Sequence, residues 1–174
     1  HVSPTTARHV ADDLGDAVDL ILDGGASGIG IESTIVALTT DAAMLLRPGG
    51  IGAEAIAAVL GHPLAQGDSS APRASGTLAS HYAPRTPAHL VDHDVLRAEL
   101  AQLEDRDECV AVLARIAEPP EAFDGVWLTA PLDAADYART LYANLRELDD
   151  AKADAILVEC VPDDAEWTAI RDRL

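Results

Sequence analysis

Gly24-Gly25-Ala26-Ser27-Gly28-Ile29-Gly30-Ile31-Glu32-Ser33-Thr34-Ile35-Val36 is the stretch around which this chain is organised. Glycines run straight into an apolar, β-branched segment that carries a Glu-Ser-Thr triplet. One apolar run later comes Arg47-Pro48-Gly49-Gly50. Glycine lets a backbone approach a ligand closely. Hydroxyls and a guanidinium suit a small polar or phosphorylated ligand. Residues 24–50 therefore read as one wall of a nucleotide and small-molecule site. The glycines are not a Walker loop, because no Lys-Ser/Thr follows them. They are not a dinucleotide fingerprint either, because they precede a strand rather than a helix. A plain glycine-rich hairpin stays open beside the ligand reading. In it Ser33 and Thr34 are β-formers on a sheet face, Glu32 is a solvated strand charge and Arg47 a surface ion-pair partner.

The 174 residues suit one medium domain or two small ones, and 48% hydrophobic content is enough for a packed core. Aromatics are 3%, so that core must be built of Ala, Val, Leu and Ile. A net charge of −18, with Lys152 the sole lysine, argues against a duplex nucleic-acid surface, which needs a basic stripe. No apolar run approaches a membrane span, and no signal peptide is evident, so neither a membrane nor an export role is expected. Cys109 and Cys160 lie in unrelated apolar segments and read as buried thiols of a reducing, cytoplasmic compartment, with a disulfide or a reactive thiol as the alternative.

Outward from the glycine stretch, the expected order is mixed α/β. Ser3-Pro4 reads as an N-cap and first helical position, opening a helix to about residue 14. Strands are expected at 18–22, 29–39 and 43–46, and a helix at 53–60 stopped by Gly61 and Pro63. Residues 62–87 are rich in Pro, Gly, Ser and Ala and read as a linker. From residue 88 the pattern is regular: strands at 88–91, 109–113, 126–128 and 155–161, and helices at 95–103, 133–148 and 164–173. On the long helix Ala135, Ala138, Leu141, Tyr142 and Leu145 share a face. Such alternation predicts a small parallel α/β domain. Net charge separates the parts: −6 over 1–61, +1 over 62–87 and −13 over 88–174.

Several side chains could carry chemistry. Arg47 ends an apolar strand beside Pro-Gly-Gly, a setting suited to phosphate or carboxylate. Ser3, at a capped helix start, is structurally sufficient as a cap and could also face phosphate. His81-Tyr82 lies in the linker, where a long ordered loop is often functional. The histidines make no metal-ligand spacing, so no metal site is expected.

In this order and spacing, five segments resemble the two-domain threonylcarbamoyl-AMP synthases of the YrdC/YciO family. They are Ser3-Pro4-Thr5, Ile21-Leu22-Asp23-Gly24-Gly25, Gly30 to Val36, Leu46-Arg47-Pro48-Gly49-Gly50-Ile51, and Ser80-His81-Tyr82-Ala83-Pro84-Arg85-Thr86-Pro87. The resemblance implies the C-terminal part of a YrdC-like twisted sheet domain over 1–61, a linker or lid over 62–87, and a small Rossmann-like domain over 88–174. It implies formation of L-threonylcarbamoyl-adenylate from L-threonine, bicarbonate and ATP with release of pyrophosphate, feeding tRNA threonylcarbamoyladenosine and its tRNA-modifying proteins. It places Ser3, Arg47 and Tyr82 on ATP and Ser33 on L-threonine, with Mg²⁺ assisting and no protein nucleophile. The family's Lys-x-Arg and Ser-x-Asn segments do not precede His1. The chain is thus expected to be part of a longer one and inactive alone. Where the family usually has Ser-Pro-Gly-Met, this linker reads Ala74-Ser75-Gly76-Thr77. Two relatives remain as alternatives: a non-catalytic nucleotide- or RNA-binding regulator of the same fold, and a carbamoyl-adenylate-forming protein of hydrogenase maturation.

Overall fold

The computed structural model describes residues 2–38, 42–67, 72, 74–75, 83–104 and 108–174. Its first sheet is small. β1 (Ile35–Ala37) pairs antiparallel with β2 (Met44–Arg47), Val36 opposite Leu45, and β2 pairs in parallel with β3 (Ala65–Gln66). β3 lies inside the segment whose composition reads as linker. α1 (Ala7–Leu14) precedes this sheet and α2 (Ala53–Leu60) lies between β2 and β3.

Three local expectations change here. The N-cap of α1 is Thr6, whose hydroxyl accepts from the His9 N–H at 3.2 Å, not Ser3. Ser3 is drawn away because its hydroxyl donates to Glu32. Residues 18–22 form no strand, and only 35–37 of the expected 29–39 strand is laddered. A strand exists through its partner, and among the described residues nothing pairs with Val18–Leu22; Leu20 and Leu22 are 75% and 84% exposed.

The second sheet follows the periodic half of the sequence. β4 (Ala88–Val91), β5 (Val110–Ala114), β6 (Val126–Thr129) and β7 (Ala155–Glu159) are all parallel, in the order β4-β7-β5-β6. α3 (His93–Glu104) links β4 to β5, and α4 (Ala134–Asp150) links β6 to β7. Every residue of β5 and β7 is buried, as a parallel sheet covered on both faces requires. The period of two sorts them. Ala111, Leu113, Ile156 and Val158 face a core with α4, whereas Val110, Val112, Ala114 and Leu157 face one with α3. The expected 164–173 helix is shorter, a 3₁₀ turn at Ala165–Trp167 leading into α5 (Thr168–Arg171). On α4 the buried stripe is Ala134, Tyr137, Ala138, Leu141, Tyr142, Leu145 and Leu148; Ala135 points out.

The α4 core also takes in Val2 and, at its edge, Ile31, so the glycine stretch packs against the second unit. Gly30 makes that approach possible. Its φ is +84°, and a Cβ there would stand 2.4 Å from Ala138 O and Arg139 Cα. Asp133 caps α4 by accepting from the N–H groups of Ala135 and Asp136. The thiols are less buried than expected: Cys109, just outside β5, is exposed and Cys160 half-buried.

Gly25 shares the left-handed backbone of Gly30, with φ +86° but open space around it. Gly25→Ala should cost about 1–2 kcal/mol from backbone strain alone. Gly30→Ala should cost clearly more, because the obstructing atoms are helix backbone. Urea unfolding of the two variants measures the difference.

Candidate functional site

Arg47 is fixed at the end of β2, where the ladder with β1 turns its side chain back under the Glu-Ser-Thr triplet. It is 6% exposed. Its Nε and Nη2 both donate to the Ser33 carbonyl, at 3.2 and 2.9 Å, and Nη1 donates to the Ser75 carbonyl at 2.8 Å. One planar fork thus holds the β1 entry, the end of β2 and a segment beyond β3 together. The Pro48-Gly49-Gly50 turn lies against the same triplet. A Cβ on Gly49 would come within 2.4 Å of Thr34 N, Glu32 O and Ser33 C. Thr34 Oγ1 donates to Ile51 O at 2.6 Å. Ser33 is exposed, its carbonyl pinned from behind by Arg47.

Glu32 is not a solvated strand charge. Ser3 Oγ donates to its Oε1 at 2.6 Å, and Tyr142 OH and Arg173 Nε donate to Oε2 at 2.8 and 2.7 Å. Arg173 Nη2 also donates to Pro48 O at 2.9 Å. Burial raises the Glu32 carboxyl, but the hydrogen bonds from Ser3, Arg173 and Tyr142 outweigh it and hold it below its usual range. A second tie runs nearby. Arg146 on α4 donates to the carbonyls of Val2 and Ser3 and pairs with Asp13 on α1.

Of the four residues expected on ligands, the structure brings three together. Ser3 meets Glu32, the neighbour of Ser33, and Arg47 holds Ser33 itself. Tyr82, with His81, lies outside the described residues. The chain just after them is anchored: the N–H groups of Arg85 and Thr86 donate to Asp149 at 3.1 and 2.8 Å. Beside the wall, a cleft of about 600 Å³ runs between Gly28–Ile31, Pro48–Ala55, the start of α4 and residues 165–170. Sequence reasoning missed Tyr142, Asp149 and Arg173, which lie in the half far along the chain. The one available signal was Glu32, an acid set in an otherwise apolar segment.

The parallel sheet has a separate polar centre at its carboxyl edge. Glu159, 1% exposed, accepts the N–H groups of Arg115, Ile116 and Ala117 at 2.6, 3.0 and 3.1 Å, and meets His93 Nδ1 at 2.8 Å. Three converging backbone N–H groups make an anion nest, and a side chain of this chain fills it. Among the described residues, no three His, Cys, Asp or Glu side chains are grouped to hold a metal ion, and no helix is long and apolar enough to cross a membrane.

Fold and site together define a mixed α/β protein in which a small sheet bearing a Ser-Arg wall is docked on a parallel, Rossmann-like unit. A family model described as threonylcarbamoyl-AMP synthase, C-terminal domain, matches residues 51–174, and one described as telomere recombination matches residues 1–49. The chain belongs to the threonylcarbamoyl-AMP synthase family. It is 34% identical over 192 residues to the threonylcarbamoyl-AMP synthase of Bacillus subtilis, a match covering 99% of this chain and 52% of that protein. It is 33% identical over 183 residues to that of Pyrococcus abyssi, covering 99% and 53%. The crystal structure of P. abyssi Sua5 complexed with L-threonine superposes with a TM-score of 0.81 at 31% identity, covering 99% of this chain and 53% of that one. The chain therefore spans about half the length of the relatives it matches.

The folded Glu32 carboxyl titrates below its ordinary value of 4.5. Its contribution to stability is therefore complete above pH 4.5 and is lost as pH falls through the folded value. Unfolding followed from pH 6 down to about pH 3 should show less acid loss in Glu32→Gln than in the parent chain.

Proposed function

We propose that this chain supplies the Ser33–Arg47 wall of an enzyme that makes L-threonylcarbamoyl-adenylate from L-threonine, bicarbonate and ATP. The observation that carries the reading is the Arg47 fork, which pins the Ser33 carbonyl and leaves the Ser33 side chain exposed. It occurs in a chain similar along nearly its whole length to synthases of that name, and to a Sua5 structure holding L-threonine.

The roles follow from the groups. The Ser33 hydroxyl faces L-threonine. Ser3, Arg47 and Tyr82 belong to the ATP half, Arg47 by holding the wall through the Ser33 carbonyl and Ser3 by fixing Glu32 beside it. The threonine amine takes up the carbon of bicarbonate with loss of water. An oxygen of the resulting carbamate attacks the α-phosphorus, and the bond to the departing pyrophosphate breaks. Such a reaction needs two ligands held in line and charge dispersed, and no protein nucleophile. A mixed anhydride is labile in water, which gives a linker lid its use. Mg²⁺ binds through phosphate oxygens and a few carboxylates. Here this cation would be held mainly by the ATP phosphates and would supply charge neutralisation there. The product would pass to tRNA-modifying proteins.

The test is threonine- and bicarbonate-dependent pyrophosphate release. It is measured for the 174 residues alone and with the part of the relatives that this chain does not span supplied in cis. The chain alone should release none. In the longer protein Ser33→Ala should raise the KM for L-threonine by about tenfold, the size of one lost hydrogen bond. Arg47→Ala should lower kcat/KM by about 100-fold or more, as expected for a buried multi-bonded guanidinium. ATP binding without pyrophosphate release in the parent protein would favour the regulatory relative and overturn this assignment.

A further inference from the structure

The two residues given different ligands, Ser33 and Arg47, are joined through a closed ring that passes outside the first sheet. Arg47 holds the Ser33 carbonyl. Ser33 is bonded through the chain to Glu32, and Arg47 to Pro48. Arg173 then donates from Nε to Glu32 Oε2 at 2.7 Å and from Nη2 to Pro48 O at 2.9 Å. We propose that Arg173, seconded by Tyr142, is the positioning residue that closes this ring, so that the parallel α/β unit sets the spacing between the L-threonine and ATP halves of the site.

Several features make the ring rigid. The Arg173 side chain is fully buried. Asp172 pairs with Arg173 at Nη1 and so orients the fork. Tyr142 reaches Glu32 from the middle of α4, and Ser3 Oγ takes the remaining carboxylate oxygen at 2.6 Å. Arg173 itself is held by the last turn of the chain, its N–H donating to Ile170 O, and Ile170 belongs to the α4 core. The core of the second unit is therefore continuous, through one guanidinium, with both residues that flank the wall. A guanidinium serves here because its planar fork can serve a carboxylate and a carbonyl at once; an ammonium would keep the charge and lose the second contact.

The inference rests on the function proposed above, and two arms separate them. The first uses the 174-residue chain and amide hydrogen exchange. Arg173→Met should speed exchange across residues 32–36 and 48–51 relative to Val158→Ala, a variant deep in the second core chosen to match its loss of Tm. Equal exchange in the two variants would overturn the ring. The second arm uses the longer protein. Arg173→Met should lower kcat by roughly 10–100-fold, because misplaced partners lose most of their proximity advantage. L-Threonine affinity should change far less, and Val158→Ala should leave kcat unaltered. Arg173→Lys should recover part of the loss, and adding Glu32→Gln to Arg173→Met should cost nothing further. A kcat equal to that of Val158→Ala, or additive losses, would overturn the positioning role. If the parent protein releases no pyrophosphate, the functional reading fails, and the exchange arm still decides whether Arg173 holds the wall.

Discussion

A half-buried carboxylate must be matched by donors, and Glu32 receives three, one of them the guanidinium of Arg173. Desolvating two charges is costly, and their attraction compensates only when the remaining donors and acceptors are also satisfied. Here they are: Ser3 and Tyr142 complete the carboxylate, while Pro48 O and Asp172 share the guanidinium. The pair therefore specifies an arrangement more than it adds stability. It ties the Glu32 segment and the Pro48 turn to the second unit, and Gly30 lets the backbones come close enough for the donors to reach.

The two sheets differ in how complete they are. In the parallel unit both faces of β5 and β7 are covered, and the buried carboxylate of Glu159 has its nest of N–H groups. That internal anion sits at the carboxyl edge, where open α/β sheets commonly receive phosphate. The lack of a glycine fingerprint after β4 fits this arrangement. In the first part, Leu20, Leu22, Leu38 and Val59 stand 71–87% exposed beside a three-stranded sheet. A core built of alanine and branched aliphatics, with few aromatics, concentrates instead where two helices sandwich a sheet. The Tyr137–Trp167 and Phe123–Trp127 edge contacts supply the large side chains on its two faces.

Much of this was legible in the sequence. Four parallel strands came from short apolar runs separated by helical periodicity, and α4 from its repeating Ala, Leu and Tyr. The 53–60 helix was marked by Gly61, which takes the left-handed conformation expected of a helix stop. The wall was legible in part: Glu-Ser-Thr and Arg-Pro-Gly-Gly are local strings whose glycines and polar groups announce a close approach. Local signals failed where a partner decided the outcome. Val18–Leu22 has strand composition and no ladder, and Ser3 has cap chemistry and a better acceptor in Glu32.

By itself, then, the sequence determined the α/β class, the periodic second unit and the local glycine and polar strings around Arg47, because these rest on spacing of two or 3.6 and on turn chemistry within a few residues. The tertiary structure decided what those residues do to one another. Glu32 meets Tyr142 and Arg173 across separations of 110 and 141 residues, and Arg173 meets Pro48 across 125. No periodicity reports such pairings. They arise when packing of apolar faces brings distant segments together and the buried polar groups must find partners there.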